Sequence, residues 1–106
     1  LLITSRAVLK LLMSAHAMVS VKRVVLDVLK PQQPNALEFS RAIAGTGADY
    51  HVQLTVLEMD EKTETLRIEI AGNAIDFEKI ETTISELGGS LHSIDEVEVR
   101  NEPDVG

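Results

Sequence analysis

From Val19 to Leu29 the chain reads V-S-V-K-R-V-V-L-D-V-L, a β-branched run that predicts a strand buried largely on both sides. Lys30-Pro31-Gln32-Gln33-Pro34 ends it, because two prolines exclude both continued sheet and an early helix. Asn35 with Glu38 three residues on has the spacing of a capping box and opens a helix through Phe39 and Ile43. Gly45-Thr46-Gly47 stops that helix. From His51 to Asp60 the chain alternates, with Val52, Leu54 and Val56 on one side and His51, Gln53 and Thr55 on the other. The polar stretch Asp60-Glu61-Lys62-Thr63 predicts a hairpin turn, and Thr65 to Ile70 alternates again with Leu66, Ile68 and Ile70 inward. Asp76 is placed to cap a second helix, with Ile75 stapled onto Ile80 and a stripe of Phe77, Ile80, Ile84 and Leu87. Gly88-Gly89 ends it, and a last strand runs from about Leu91 to Arg100.

Two strand–helix–strand units joined by a tight hairpin give the order βαββαβ, an α+β class sandwich of ferredoxin-like form. Right-handed crossovers leave one reasonable solution, four antiparallel strands ordered 4-1-3-2 with both helices on one face. The domain is expected to span residues 18–101, with an amphipathic helical leader at 1–17 and a polar, frayed tail at 102–106. The open face of the sheet is expected to carry Arg23, Val25, Gln53, Thr55, Leu57, Arg67, Glu69, Glu96 and Glu98. That mixture, with two unpaired outer strands beside it, suits contact between subunits.

Composition narrows the function. At 106 residues there is room for one core, and a net charge of −7 argues against binding a phosphate backbone. There is no cysteine, which removes disulfides, thiol catalysis and thiolate metal sites and fits a reducing cytoplasm. The aromatic residues are Phe39, Tyr50 and Phe77, so an RNA-recognition surface, which needs aromatics on its central strands, is not expected. A Cys-x-x-Cys metallochaperone loop is missing, and Lys30 to Pro34 replaces the Arg-bearing cradle of an acylphosphatase-like enzyme. Gly45-x-Gly47 closes a helix instead of opening one after a strand, so it is not a dinucleotide fingerprint. An amino-acid-sensing module stays open, although its usual glycine at the first turn is missing.

No run is long and apolar enough to span a bilayer. Leu1 to Ala17 superficially resembles a signal peptide ending at Ala15-His16-Ala17, but Lys10 interrupts its apolar stretch. Val8, Leu9, Leu12 and Met13 share one helical face, and Arg6 and Lys10 are the only charges. The segment is either a translated leader upstream of Met18, set by the choice of start site, or an amphipathic helix that packs on a partner or a neighbouring subunit.

The topology brings chemistry to one end of the sheet. The first two strands run parallel and the other two run against them, so the C-terminal ends of the first pair lie beside the N-terminal ends of the second. Asp27, Glu58, Asp60, Glu64 and Asp95 fall there, with Lys30, Lys62, His92 and Ser93. Carboxylates held close repel unless neutralised. Lysines can do this, leaving a solvated acidic rim. A hard divalent cation, Ca²⁺ or Mg²⁺, can do it through the five carboxylates, with Lys30, His92 and Ser93 as ligand or supporting groups. Zinc suits the site less, because His92 is the only nearby nitrogen ligand. No serine nucleophile with a base and an orienting acid is evident, so no catalytic residue is assigned and a non-enzyme is expected.

Leu26-Asp27-Val28-Leu29-Lys30-Pro31, Glu58-Met59-Asp60 with Thr63-Glu64, Gly88-Gly89 and His92-Ser93-Ile94-Asp95-Glu96-Val97 resemble a small, largely archaeal family, domain-of-unknown-function family 211. The resemblance covers about Val19 to Val99. It implies a ferredoxin-like domain assembled as a closed homo-oligomeric ring, associated with divalent cations and with no established reaction. The chain departs from the family at Gln32, where histidine is common, which weakens a metal role for that loop. The expected function is a non-enzymatic, ring-forming homo-oligomer holding a divalent cation or small polar ligand. The alternatives are an enzyme or enzyme subunit using His92 with nearby carboxylates, and a purely structural interaction module.

Overall fold

The computed structural model describes residues 19–102, so the leader at 1–17 and most of the polar tail lie outside the described residues. Six elements follow one another: β1 (Val19–Pro31), α1 (Ala36–Ala44), β2 (His51–Met59), β3 (Thr63–Ala71), α2 (Phe77–Glu86) and β4 (Ser90–Asn101). The strands form one antiparallel sheet in the order β2-β3-β1-β4, which is the expected 4-1-3-2 read from the opposite edge. With two helices, this is compatible with the ferredoxin-like α+β arrangement.

β1 lies between β3 and β4; its helix-bearing face is buried at Val24, Leu26 and Val28, whereas on the open face Val25 is buried but Leu29 is 42% exposed, so the burial expected on both sides is met only in part. Val24, Leu26 and Val28 meet Leu66, Ile68 and Ile70 of β3 on one face, and Phe39, Ile43, Ile80 and Ile84 cover them. Both helices therefore sit on that face. Each buried Leu, Ile or Phe there contributes roughly 1.5–3 kcal/mol. The caps are those the sequence marks: the Asn35 side chain accepts from the Glu38 N–H at 2.9 Å, and Asp76 accepts from the Lys79 N–H at 3.2 Å. The Glu38 carboxylate does not complete the box, because it pairs with Arg41 at 3.0 Å.

Four residues fall out of register. On β1, Lys22 has no partner across on β4, and on β4 His92 and Asp95 have none on β1. On β2, Leu57 is the extra residue against β3. Each is a β-bulge, which reverses the phase of the side chains beyond it. The bulge at Leu57 puts Glu58, opposite Thr65, onto the open face in the place where strict alternation would put Leu57.

The turn after α1 carries a packing constraint. A Cβ on Gly47 would stand 2.3 Å from the Tyr50 ring, so only glycine leaves room for it. The Tyr50 hydroxyl in turn accepts the Asp76 N–H at 2.6 Å, tying this turn to the start of α2.

Candidate functional site

The carboxylates at the acidic end divide between the two faces of the sheet. Asp27 stands opposite Arg67 and Ser93 on the open face, whereas Lys30 stands opposite Glu64 on the helix-bearing face. The cause is the period of two along a strand, which turns residues three apart to opposite sides.

Lys30 is fully buried. Its ammonium donates to the carbonyls of Pro31 at 2.7 Å, Pro34 at 2.8 Å and Gln32 at 3.4 Å. These bonds use its three protons and secure the loop that leaves β1. Glu64 Oε1 lies 3.1 Å from the same ammonium and takes no hydrogen bond, so charge attraction alone holds it.

Asp60 organises the hairpin. Its carboxylate accepts from the Lys62 N–H at 2.9 Å, the Thr63 N–H at 2.8 Å and the Thr63 hydroxyl at 3.1 Å. These donors, the two backbone N–H groups foremost, hold its pKa below the ordinary carboxylate value. A shallow hollow of about 450 Å³ runs along Asp60, Glu61, Lys62 and Thr63. The Gln32 side chain reaches over to donate to the Glu61 carbonyl and, at 3.3 Å, to the Asp60 carbonyl.

Asp27 and His92 do come together. The bulge at His92 frees its side chain from the ladder, and its Nδ1 lies 3.2 Å from Asp27 Oδ2. They line a depression of about 250 Å³ on the open face together with Leu29 and Thr65. Beside them the Ser93 hydroxyl donates to Asp95 at 2.7 Å. Glu58 lies on the outer strand β2, separated from β1 by β3, which is about 10 Å across the sheet. Among the described residues, no three His, Cys, Asp or Glu side chains stand close enough together to hold one metal ion. Asp27 and His92 can therefore supply two donors, and water or another molecule must complete any cation shell in that depression.

The open face holds a charge network that the sequence shows only as separate residues. Arg23 on β1 bridges Glu69 of β3 and Glu96 of β4, the latter at 3.0 Å. Arg67 approaches Glu96 at 3.7 Å and Glu69 at 3.9 Å. Both glutamates are the register partners of Val25, so these charged side chains roof over it and leave it only 1% exposed. The hydrogen bond from Arg23 holds the Glu69 pKa below its ordinary value against partial desolvation, and hydrogen bonds to Glu69 and Glu96 raise that of Arg23. Arginine and glutamate on neighbouring strands around one apolar residue is the signal that could have identified this network.

Among the described residues, no helix is long and apolar enough to cross a membrane. The family described as uncharacterised ArCR, DUF211, matches residues 22–102 of the chain. An uncharacterised protein of Methanocaldococcus jannaschii is 40% identical over 77 residues, which are 73% of this chain and 79% of that protein.

Proposed function

The chain belongs to the DUF211 family, and from that premise we propose that it is a non-enzymatic, cytoplasmic protein whose copies close into a ring. The carrying observation is that, among the described residues, the sheet ends in two unlike edges, β2 and β4, with no strand paired beyond them. A contact between unlike edges is heterologous, and heterologous contacts propagate until rotation closes them. The β2 edge adds Val56, Leu57 and Met59, all exposed, so a neighbour can bury apolar area there as well as pair with backbone. The net charge of −7 and an open face without aromatic residues favour a protein partner over nucleic acid.

The same reading gives the ring a hard divalent cation, Ca²⁺ or Mg²⁺, or a small polar ligand at the Asp27–His92 depression. Asp27 keeps an accessible carboxylate there, and Asp95 stands one bulge further along β4. Two donors from one chain make an incomplete shell for such an ion, which prefers six or more oxygens. Carboxylates of a neighbouring copy, Glu58 on its β2 edge among them, would complete it, so cation binding is expected only in the assembled form. Asp60 and Glu64 act in this reading as structural groups, held by the hairpin and by Lys30.

Native mass spectrometry with Ca²⁺, Mg²⁺ or chelator present tests both parts. One closed oligomer that retains a fixed number of ions per subunit, and loses them in D27A/D95A, supports the proposal. A monomer under all conditions removes the ring, and undiminished ion retention in D27A/D95A removes the cation assignment.

A further inference from the structure

The two edges of the sheet carry matching apolar rows. On β4, Leu91, Ile94, Val97 and Val99 stand opposite Val28, Leu26, Val24 and Val21 of β1, so all four lie on the helix-bearing face. On β2, Met59, Val56, Leu54 and Val52 stand opposite Glu64, Leu66, Ile68 and Ile70 of β3, on that same face. Ile94, Val97, Val99, Val56 and Met59 are exposed there. Neither strand contains a proline or a lysine, the residues that ordinarily keep an edge from pairing.

We infer that β4 of one copy pairs antiparallel with β2 of the next in a single register, which sets Leu91, Ile94, Val97 and Val99 opposite the neighbour's Met59, Val56, Leu54 and Val52. The inference rests on the ring proposed above and specifies its contact. β2 and β4 run antiparallel within one copy, so a neighbour that keeps the same strand direction continues the antiparallel sheet without a break. The spacing fits. The bulged residue His92 stands between Leu91 and Ile94, and the bulged Leu57 between Val56 and Met59, so the two extra residues meet and the ladder keeps step. The open face fits as well. There Ser93, Glu96 and Glu98 meet the neighbour's Glu58, Thr55 and Gln53, so each glutamate faces a hydroxyl or an amide.

Other registers fit less. A slip of one residue sets apolar side chains against polar ones. Within one copy Ile94 is level with Leu54, through Leu26 and Ile68. Pairing the neighbour at that level leaves Val99 beyond the end of β2 and Met59 beyond that of β4, and it parts the two bulges. The inferred register is displaced from it by two residues, and closing a sheet requires a stagger between strands. Contact between two β4 edges would set Glu96 and Glu98 of one copy against those of the other, which like charges oppose. The inferred register also brings the neighbour's Glu58 opposite Ser93, the register partner of Asp27, and so to the side of the Asp27–His92 depression.

The chain has no cysteine, so a pair can be introduced without background. Positions 56 and 94 of one copy are separated by β3 and β1, about 14 Å across the sheet, so their cysteines can join only between copies. In the full chain carrying I94C/V56C, mild oxidation is expected to give a ladder of disulfide-linked oligomers on denaturing gels, several-fold stronger than that of I94C/L54C. Sedimentation velocity of wild type and of both reduced variants is read beside it. An intact oligomer in which I94C/L54C links as well as I94C/V56C, or better, would overturn the register and leave the ring standing. Monomer in every sample, wild type included, would overturn the ring and the register with it. Hydrogen exchange of the wild-type chain needs no substitution. Peptides covering β2 and β4 should exchange at least tenfold more slowly in the oligomer than in the monomer obtained by dilution, and unchanged rates in an intact oligomer would refute the edge pairing.

Discussion

Removing the charge of Lys30 while leaving Glu64 in place would strand a carboxylate in a site from which water is largely excluded, since their side chains are 0% and 12% exposed. Breaking a buried pair from one side costs about 3–5 kcal/mol, whereas neutralising both partners costs far less. K30M should therefore lose about 3 kcal/mol in urea unfolding, and K30M/E64Q should recover part of that loss. The recovery will be incomplete, because the carbonyls of Pro31 and Pro34 lose their donor in both variants. Gly47 makes a second, sharper case. A methyl group there meets the Tyr50 ring at 2.3 Å, so G47A should cost about 1–3 kcal/mol by overpacking. G47A/Y50A, measured in the same denaturant series, should show that the two losses are not additive. Neither role can be read from the residue's sequence neighbourhood. Lys30 beside two prolines reads as the wet end of a strand, and only the register opposite Glu64 turns it inward.

The elements themselves are legible because caps, turns and alternation agree at almost every boundary; strict alternation passes over the bulges, although the chain spells them out. Inward apolar residues recur at intervals of two except between Val21 and Val24, Val56 and Met59, Leu91 and Ile94, and Ile94 and Val97. Each gap of three holds one bulge, at Lys22, Leu57, His92 and Asp95. An extra residue is what keeps the next apolar side chain on the core side after such a gap. Two of these bulged residues, His92 and Asp95, are site candidates, so the departures from period two carried the functional information that strict alternation hides. The β2–β3 hairpin has a dependence of its own. The Asp60 pKa is held below its ordinary value of 3.8 by the Lys62 and Thr63 donors. A depressed folded-state pKa means that ionised Asp60 favours the folded chain. Its contribution is complete above pH 3.8 and disappears as pH falls below that value through the folded pKa. Stability of wild type and D60N should therefore differ at neutral pH and converge below that window, as read from urea midpoints across an acid series.

Burial in this domain is one-sided. The large apolar residues cluster between the helices and the sheet, Val25 lies under its charge network on the other face, and the two edge strands keep exposed apolar side chains. The candidate site follows the same division. The period of two along β1 and β3 divides these carboxylates between the faces, so Asp27 ends with His92 while Glu64 ends with Lys30. Where fold stability and assembly use separate residues, they can be separated by substitution. Leu57 and Met59 on β2 are 55% and 66% exposed and, among the described residues, belong to no buried cluster. L57K/M59K should thus change the thermal stability of the isolated subunit by no more than about 0.5 kcal/mol per site, the usual range for surface positions. If β2 is the edge that meets a neighbour's β4, the same substitutions remove two side chains worth roughly 1.5–3 kcal/mol each when buried and place two ammonium groups in the contact. That loss weakens the subunit dissociation constant by at least about tenfold per side chain. Sedimentation velocity over a concentration series should show the ring giving way to monomer in L57K/M59K, with the unfolding midpoint of the monomer unmoved. An intact ring would transfer the contact from β2 to the open face, where Arg23, Arg67, Glu69 and Glu96 would have to exchange partners between copies.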